Sequence, residues 1–220
     1  MTLTNQQQGA RQGLMVLRRA ALFSLGLAVS GWTLPALAGD VTISTNITSG
    51  TCTLDIRNGE TGASITSFSL GKYESAALNQ NGAQVGFKPV NLVLSKCGIG
   101  GGAQATPKVQ LKGTQALTSD VTSPNIYTFR NAGSDGGDSH GYFIFVANST
   151  TPKWFPVESN GTGDGVWGKG NLIPMAATGH SGEGASKTLY LGVGCDNDCR
   201  LSSTYAGTVK ASLVFEFAYK

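Results

Sequence analysis

Four cysteines, two histidines and a scatter of carboxylates are the side chains with which this 220-residue chain could do redox, metal or acid–base chemistry. Cys52 and Cys97 lie in apolar, strand-like runs, whereas Cys195 and Cys199 flank the polar turn Asp196-Asn197-Asp198. In an exported chain such a set reads as two disulfides; four cysteines allow three pairings, and pairing within each set is the simplest. A zinc site on Cys195 and Cys199 would need two further ligands, with only His140 and His180 to offer ring nitrogens. Asp135, Asp138 and His140 are near enough in sequence to hold a cation, but they sit in a Gly- and Ser-rich stretch of the kind that is ordinarily just solvated. His180 beside Ser181 suggests nucleophilic hydrolysis, yet the surrounding glycines give neither a strand-to-helix elbow nor a positioned third group. Gly98-Ile99-Gly100-Gly101-Gly102-Ala103 imitates a dinucleotide loop, but Pro107 and a further strand follow it, so no helix N-terminus faces a phosphate. Trp154, Phe155 and Trp167, with Asp164 between them, have the composition of a sugar-binding platform, although such rings more often pin a long loop to a core. The expectation is a protein that is not an enzyme and uses no cofactor or metal. Those rings also admit another function, that of an adhesin or lectin-like module binding a host glycan or surface receptor.

The elements that must position these residues are strands. Thirty-one glycines, many Ser and Thr, and short alternating runs every ten residues or so point to an all-β sandwich. Period-two alternation places strands at 41–47, 51–56, 64–70, 85–94, 108–111, 127–129, 142–147, 153–157, 188–193 and 208–219. The glycine-rich stretches 131–141, 159–170 and 176–187 read as loops.

Residues 1–38 carry the marks of an export signal: Arg18 and Arg19, an apolar run over 20–29, then Ala36-Leu37-Ala38 in the small-x-small arrangement that precedes cleavage. A membrane anchor is disfavoured because the apolar run is short and broken by Ser30, Gly31 and Pro35. Cleavage after Ala38 leaves a 39–49 extension followed by a domain over 50–220. It also removes Arg11, Arg18 and Arg19 from the 16 basic residues, leaving 13 against 13 acidic ones. A neutral mature chain gives no electrostatic case for nucleic acid or an anionic membrane as partner.

Two strands stand out as unfinished. Over 208–219, Val209, Ala211, Leu213, Phe215, Phe217 and Tyr219 share one face, and a strand this apolar must be covered and paired on both edges. No later strand follows in this sequence to do so, which raises the expectation that another molecule supplies it. At the other end, Val41, Ile43, Thr45 and Ile47 share the odd positions, while Cys52, Leu54 and Ile56 share the even ones. A one-residue slip of phase turns every side chain to the opposite face, so the two runs are not one flat strand on one core, and the break falls at Ser49-Gly50. The first run is a detachable strand with an apolar stripe; folding back onto its own domain through a bulge at Gly50 is the other option.

In this order of parts the chain resembles the pilins of the chaperone-usher class, type 1 pilus subunits in particular. The likeness rests on the export signal, Asp40-Val41-Thr42-Ile43 ahead of the first cysteine, and Phe68-Ser69-Leu70-Gly71-Lys72-Tyr73 after it. It continues through 90–97 and 109–113 to a terminal strand with Gly207 fourteenth from the end and Tyr219 penultimate. The resemblance implies an incomplete immunoglobulin-like β-sandwich that lacks its last strand and is completed by donor-strand exchange. It implies a periplasmic immunoglobulin-like chaperone, an outer-membrane usher and neighbouring pilus subunits as partners. It implies export through the periplasm into an extracellular fimbrium that supports cell adhesion. Carried onto this sequence, the donor residues are Val41, Ile43, Thr45 and Ile47. The acceptor groove is Val209, Ala211, Leu213, Phe215, Phe217 and Tyr219, with the Lys220 carboxylate as the chaperone's anchor, and Cys52–Cys97 is the family disulfide. The chain departs from the pattern in two places: no glycine is evident inside the donor run, and the Cys195 and Cys199 pair reads as a local staple on a loop.

Overall fold

Among the described residues, alternating apolar and polar positions become ten strands in two sheets. In the computed structural model the described residues are 36–49, 52–78, 82–98, 105–115, 127–195 and 207–220. The strands are β1 (Ala36–Ser49), β2 (Thr53–Asn58), β3 (Ser67–Glu74), β4 (Gln84–Ser95), β5 (Pro107–Gly113), β6 (Phe143–Ala147), β7 (Val166–Trp167), β8 (Leu172–Pro174), β9 (Ser186–Gly194) and β10 (Thr208–Tyr219). One sheet runs β3-β1-β10-β5-β8 and the other β2-β4-β9-β6-β7. No α-helix occurs among the described residues, and single 3₁₀ turns fall at Ser75–Leu78 and Gly133–Gly136. No helix among them is long and apolar enough to cross a membrane. The all-β sandwich read from the sequence is thus the architecture.

The inward faces of the two sheets make one core. Leu70, Val109, Leu111, Leu213, Phe215 and Phe217 from one sheet meet Leu92, Leu94, Ile144, Leu189, Leu191 and Val193 from the other, all buried. Each such side chain withdrawn from water contributes on the order of 1.5–3 kcal/mol, which is why strict alternation alone suffices to specify the two faces. The phase change between the first two strands has a spatial meaning. Leu37, Gly39, Val41 and Ile43 are buried in β1, as are Cys52 just ahead of β2 and Leu54 and Ile56 within it, and the two strands belong to opposite sheets. Gly50, where the bulge was placed, lies outside the described residues.

Three of the expected elements differ. Residues 127–129 form no strand: Phe129 makes only single bridges to Gln115 and Ile144. Residues 153–157 form none either, since Pro152 and Pro156 each lack the N–H a ladder needs and only Pro156 bridges Val166. The 159–170 loop, conversely, contains β7, whose Val166 and Trp167 are both buried beside β6. Two consecutive buried residues carry no alternation, so periodicity could not find them.

Candidate functional site: the slot between strands β3 and β10

The groove residues lie where the alternation puts them. Val209, Ala211, Leu213, Phe215 and Phe217 of β10 are all buried, and Tyr219 is partly so. Phe217 and Tyr219 meet edge to face with centroids 5.1 Å apart. Tyr219 marks the end of the groove: its hydroxyl donates to the Ser181 carbonyl at 2.7 Å and lies 3.7 Å from Cys52 Sγ. Lys220 is exposed, and its N–H and carbonyl pair with the Thr106 carbonyl and N–H at 3.0 and 2.9 Å.

Strand β1 fills the space between β3 and β10. It runs antiparallel to β3 and parallel to β10, the latter being the one parallel ladder among the described strands. The register sets Val41 against Ala211, Ile43 against Leu213, Thr45 against Phe215 and Ile47 against Phe217. In this structure, then, the strand beside β10 is the chain's own, and both of its edges are paired. Val41 and Ile43 are buried to within 2% of fully, whereas Thr45 is exposed although it shares their phase. The side chains of Asn46 and Ile47 lie outside the described residues.

The strand also begins earlier than the sequence led one to expect. Leu37, inside the expected signal segment, is fully buried opposite Tyr73 of β3, and Gly39 is buried between them and Val41. A Cβ on Gly39 would stand 2.9 Å from Val193 Cγ2 of the facing sheet and 3.4 Å from Leu70 Cβ, so glycine is what lets the two sheets close here. The odd-number alternation continues backward from Val41 through Gly39 to Leu37, a signal that was present but overlaid by the targeting pattern. Residues 1–35, the remainder of the expected signal, lie outside the described residues.

The far end of β1 is tethered. Cys52 and Cys97 form a disulfide that ties the start of β2 to the end of β4, three residues after Ser49. The Cys97 N–H donates to Glu183 Oε2 at 2.6 Å, and Lys96 before it adopts φ +53°, a left-handed conformation seldom seen without glycine. Cys195 is buried and disulfide-bonded as well, while Cys199 lies outside the described residues.

Opposite β1, the first half of β10 is braced by a loop. Strand β5 pairs with β10 only from Leu213 onward. Before that, the Asn131 N–H donates to the Lys210 carbonyl at 2.9 Å and Asn131 Oδ1 accepts from Ser212 N at 2.8 Å. Asp138 Oδ1 accepts the Thr208 N–H at 2.5 Å. That hydrogen bond holds the Asp138 carboxyl below the ordinary carboxylate range. Arg130 secures the loop by donating to the carbonyls of Tyr142 and Gly137, at 3.2 and 3.0 Å, and of Ser139. Gly207, at φ +156°, is required by the same brace, since a Cβ there would fall 2.8 Å from Asp138 Oδ1. Asp138, weighed from sequence as a cation ligand, therefore serves as a surrogate strand for β10. Asp135 sits in the exposed 3₁₀ turn.

The remaining chemistry-bearing residues are dispersed. Ser181 Oγ accepts the Glu183 N–H at 3.2 Å, its carbonyl accepts Tyr219, and His180 is exposed on the adjoining turn. Trp154 Nε1 donates to the Gly82 carbonyl at 3.1 Å and its ring stands edge-on to Phe145, 5.2 Å between centroids. Trp167 is 3% exposed, and Phe155, at 42%, is the exposed large apolar residue of the group. Trp167 is thus buried in the sheet, and the half-buried Trp154 pins the 150s loop against Phe145. Asp164 lies 3.5 Å from Lys153 Nζ. Of the Gly-rich run after Cys97, residues 99–103 lie outside the described residues.

Compared with known proteins, the chain matches no family model and no curated protein.

Proposed function

We propose that this protein is an exported structural subunit of an extracellular pilus, of the chaperone-usher kind, that polymerises by passing strand β1 from one molecule to the next. The observation that carries the reading is the position of β1: inserted between β3 and β10, joined to the rest of the domain at one end, and tethered there next to a disulfide.

Such a strand can leave without dismantling another. Its departure would expose the Val209, Ala211, Leu213, Phe215 and Phe217 face and the unpaired edges of β3 and β10, a state prone to aggregate unless another strand enters. The slot accepts either direction. Because β3 and β10 run opposite ways, any strand between them is parallel to one and antiparallel to the other. The chain's own β1 spends its parallel pairing on β10, the longer ladder. A strand entering in reverse would be antiparallel along β10, where hydrogen bonds are straighter and slightly more stable per residue. A neighbour's Val41 and Ile43, entering in reverse, gain that ladder, and each head-to-tail contact leaves one free strand and one free slot, so the assembly grows as a fibre. In this reading a periplasmic immunoglobulin-like chaperone holds the slot open by lending a strand, with the end of β10 at Lys220 as its anchor, and an outer-membrane usher exchanges it.

The test is deletion of residues 39–48 in a cell assembling the fibre. The expected outcome is a subunit that still co-purifies with its chaperone but can no longer insert into a preceding subunit. Incorporation of the deleted chain behind other subunits would overturn the proposal.

A further inference from the structure

Outside the slot, one large apolar side chain among the described residues is exposed: Phe155, at 42%. It stands on a loop whose two limbs and tip are all held. The Phe155 carbonyl accepts the N–H of buried Val166 in β7 at 2.8 Å, and the Lys153 N–H donates to the Asp164 carbonyl at 2.7 Å, so the limbs run side by side. At the tip, Asn148 Nδ2 donates to the carbonyls of Gly161 and Gly163 at 3.1 and 2.9 Å, and the half-buried Lys187 ammonium donates to the same Gly161 carbonyl at 2.8 Å. Asn160 Oδ1 accepts both the N–H and the hydroxyl of Thr162, at 2.9 and 2.6 Å. Drawing an ammonium partly out of water costs free energy, offset here by a bond whose effect is to order a surface tip. Loops fixed on a rigid scaffold are where recognition residues concentrate. What this loop holds out is a phenyl ring with two charged groups at its rim: Lys153 Nζ lies 5.6 Å from the ring centroid and 3.5 Å from Asp164 Oδ2, and the two charged side chains are 67% and 42% exposed.

We propose that Phe155, Lys153 and Asp164 form a binding site for a neutral saccharide, whose pyranose ring lays its apolar C–H face on the phenyl ring while its hydroxyls donate to Asp164 and accept from Lys153. The site does not depend on strand exchange.

The chemistry of the rim selects that class of ligand. A pyranose has a flat apolar face edged with hydroxyls that both donate and accept, which matches a ring flanked by one charged acceptor and one charged donor. An acidic ligand would meet Asp164 and the exposed Glu158 beside the tip. A protein partner would need an interface of about 1,000 Å² or more, whereas the exposed apolar surface here is a single ring. The Lys153–Asp164 pair also keeps both polar groups beside the ring before a ligand arrives, which lowers the ordering cost of binding. Trp154, pinned against Phe145 and the Gly82 carbonyl, steadies the loop one residue away and is support for the site, not its platform.

The test is an array of neutral, sialylated and sulfated oligosaccharides probed with the folded chain, its Cys52–Cys97 disulfide formed, followed by calorimetric titration of the strongest neutral binder. Animal-type and bacterial termini are arrayed separately, so the preferred one tells a host surface from the cell's own coat. Binding of a neutral saccharide is expected. Phe155→Ala should weaken it about tenfold or more, the effect of losing a well-placed aromatic contact, and Phe155→Tyr should keep it within about threefold. Asp164→Asn, which exchanges a charged acceptor for a neutral one, should weaken it about tenfold. Binding of no neutral saccharide, a preference for the sialylated or sulfated ones, or a Phe155→Ala variant that binds like its parent would overturn the proposal. Should Phe155→Ala also melt lower, Phe155→Leu decides: it fills the space without an aromatic face, so lost binding at the parent's melting temperature supports the site and retained binding overturns it.

Discussion

Val41, Ile43 and Thr45 share one phase, yet burial separates them: the first two are inside and Thr45 is exposed. Ile43→Ala is accordingly expected to cost about 2–5 kcal/mol, the range for truncating a buried aliphatic side chain, whereas Thr45→Ala should stay within about 0.5 kcal/mol of the parent. Denaturant melts of the two variants, read at constant m-value, check the contrast. Asp138 supplies a second residue-scale expectation. Its carboxyl is held below the usual range chiefly by the Thr208 N–H, so its stabilising contribution is complete above the ordinary aspartate value of 3.8 and is lost as pH falls through the lowered one. Asp138→Asn keeps an acceptor for Thr208 but cannot titrate. The acid limb of its stability–pH curve should be shallower than the parent's, as measured by thermal melting between about pH 2 and pH 6, a window that brackets the ordinary aspartate range.

At the scale of elements, the disulfide and the β10 brace divide the labour. Cys52–Cys97 spans 45 residues and fixes the entry to β2 just after β1 ends. Its replacement by alanines should cost about 2–5 kcal/mol, and the loss should show in hydrogen exchange of β2 and β4 before β5 and β10. The brace was legible only in part. Gly207 could be picked out from the sequence as a fixed point of the terminal strand, but its reason, close approach of the Asp138 loop, depends on residues about seventy positions away. The opposite error occurred at 153–157, where alternation suggested a strand and two prolines denied it a ladder. Short β7 and β8 escaped notice because two or three residues are too few to show a period.

For the whole molecule, the proposed strand exchange would set closure within a chain, which the structure shows, against closure between chains. Intramolecular closure is independent of concentration, and exchange is not. Unfolding and refolding at high protein concentration is therefore expected to yield head-to-tail oligomers, and refolding at high dilution to yield monomer. Size-exclusion chromatography with light scattering distinguishes them, and a purely monomeric product at every concentration would count against strand exchange. Trp154 packs edge-on against Phe145 and donates to the Gly82 carbonyl, so Trp154→Phe should loosen the 150s loop, visible as lower protection in hydrogen exchange.

The sequence by itself determined the all-β class, Val41 and Ile43 as inward residues of β1, the inward residues of β2 and β10, and the phase break between the first two strands. These are local matters: side chains in a strand alternate with period two, and burial on one face is enough to write that period into the chain. Only the tertiary structure decided that β1 starts at Ala36, that it lies parallel to β10 beside β3, that Gly39 packs directly against Val193 of the facing sheet, and that Asn131 and Asp138 complete the edge of β10. Each of those depends on which distant strand becomes a neighbour, and alternation, being the same for every possible neighbour, carries no record of the choice.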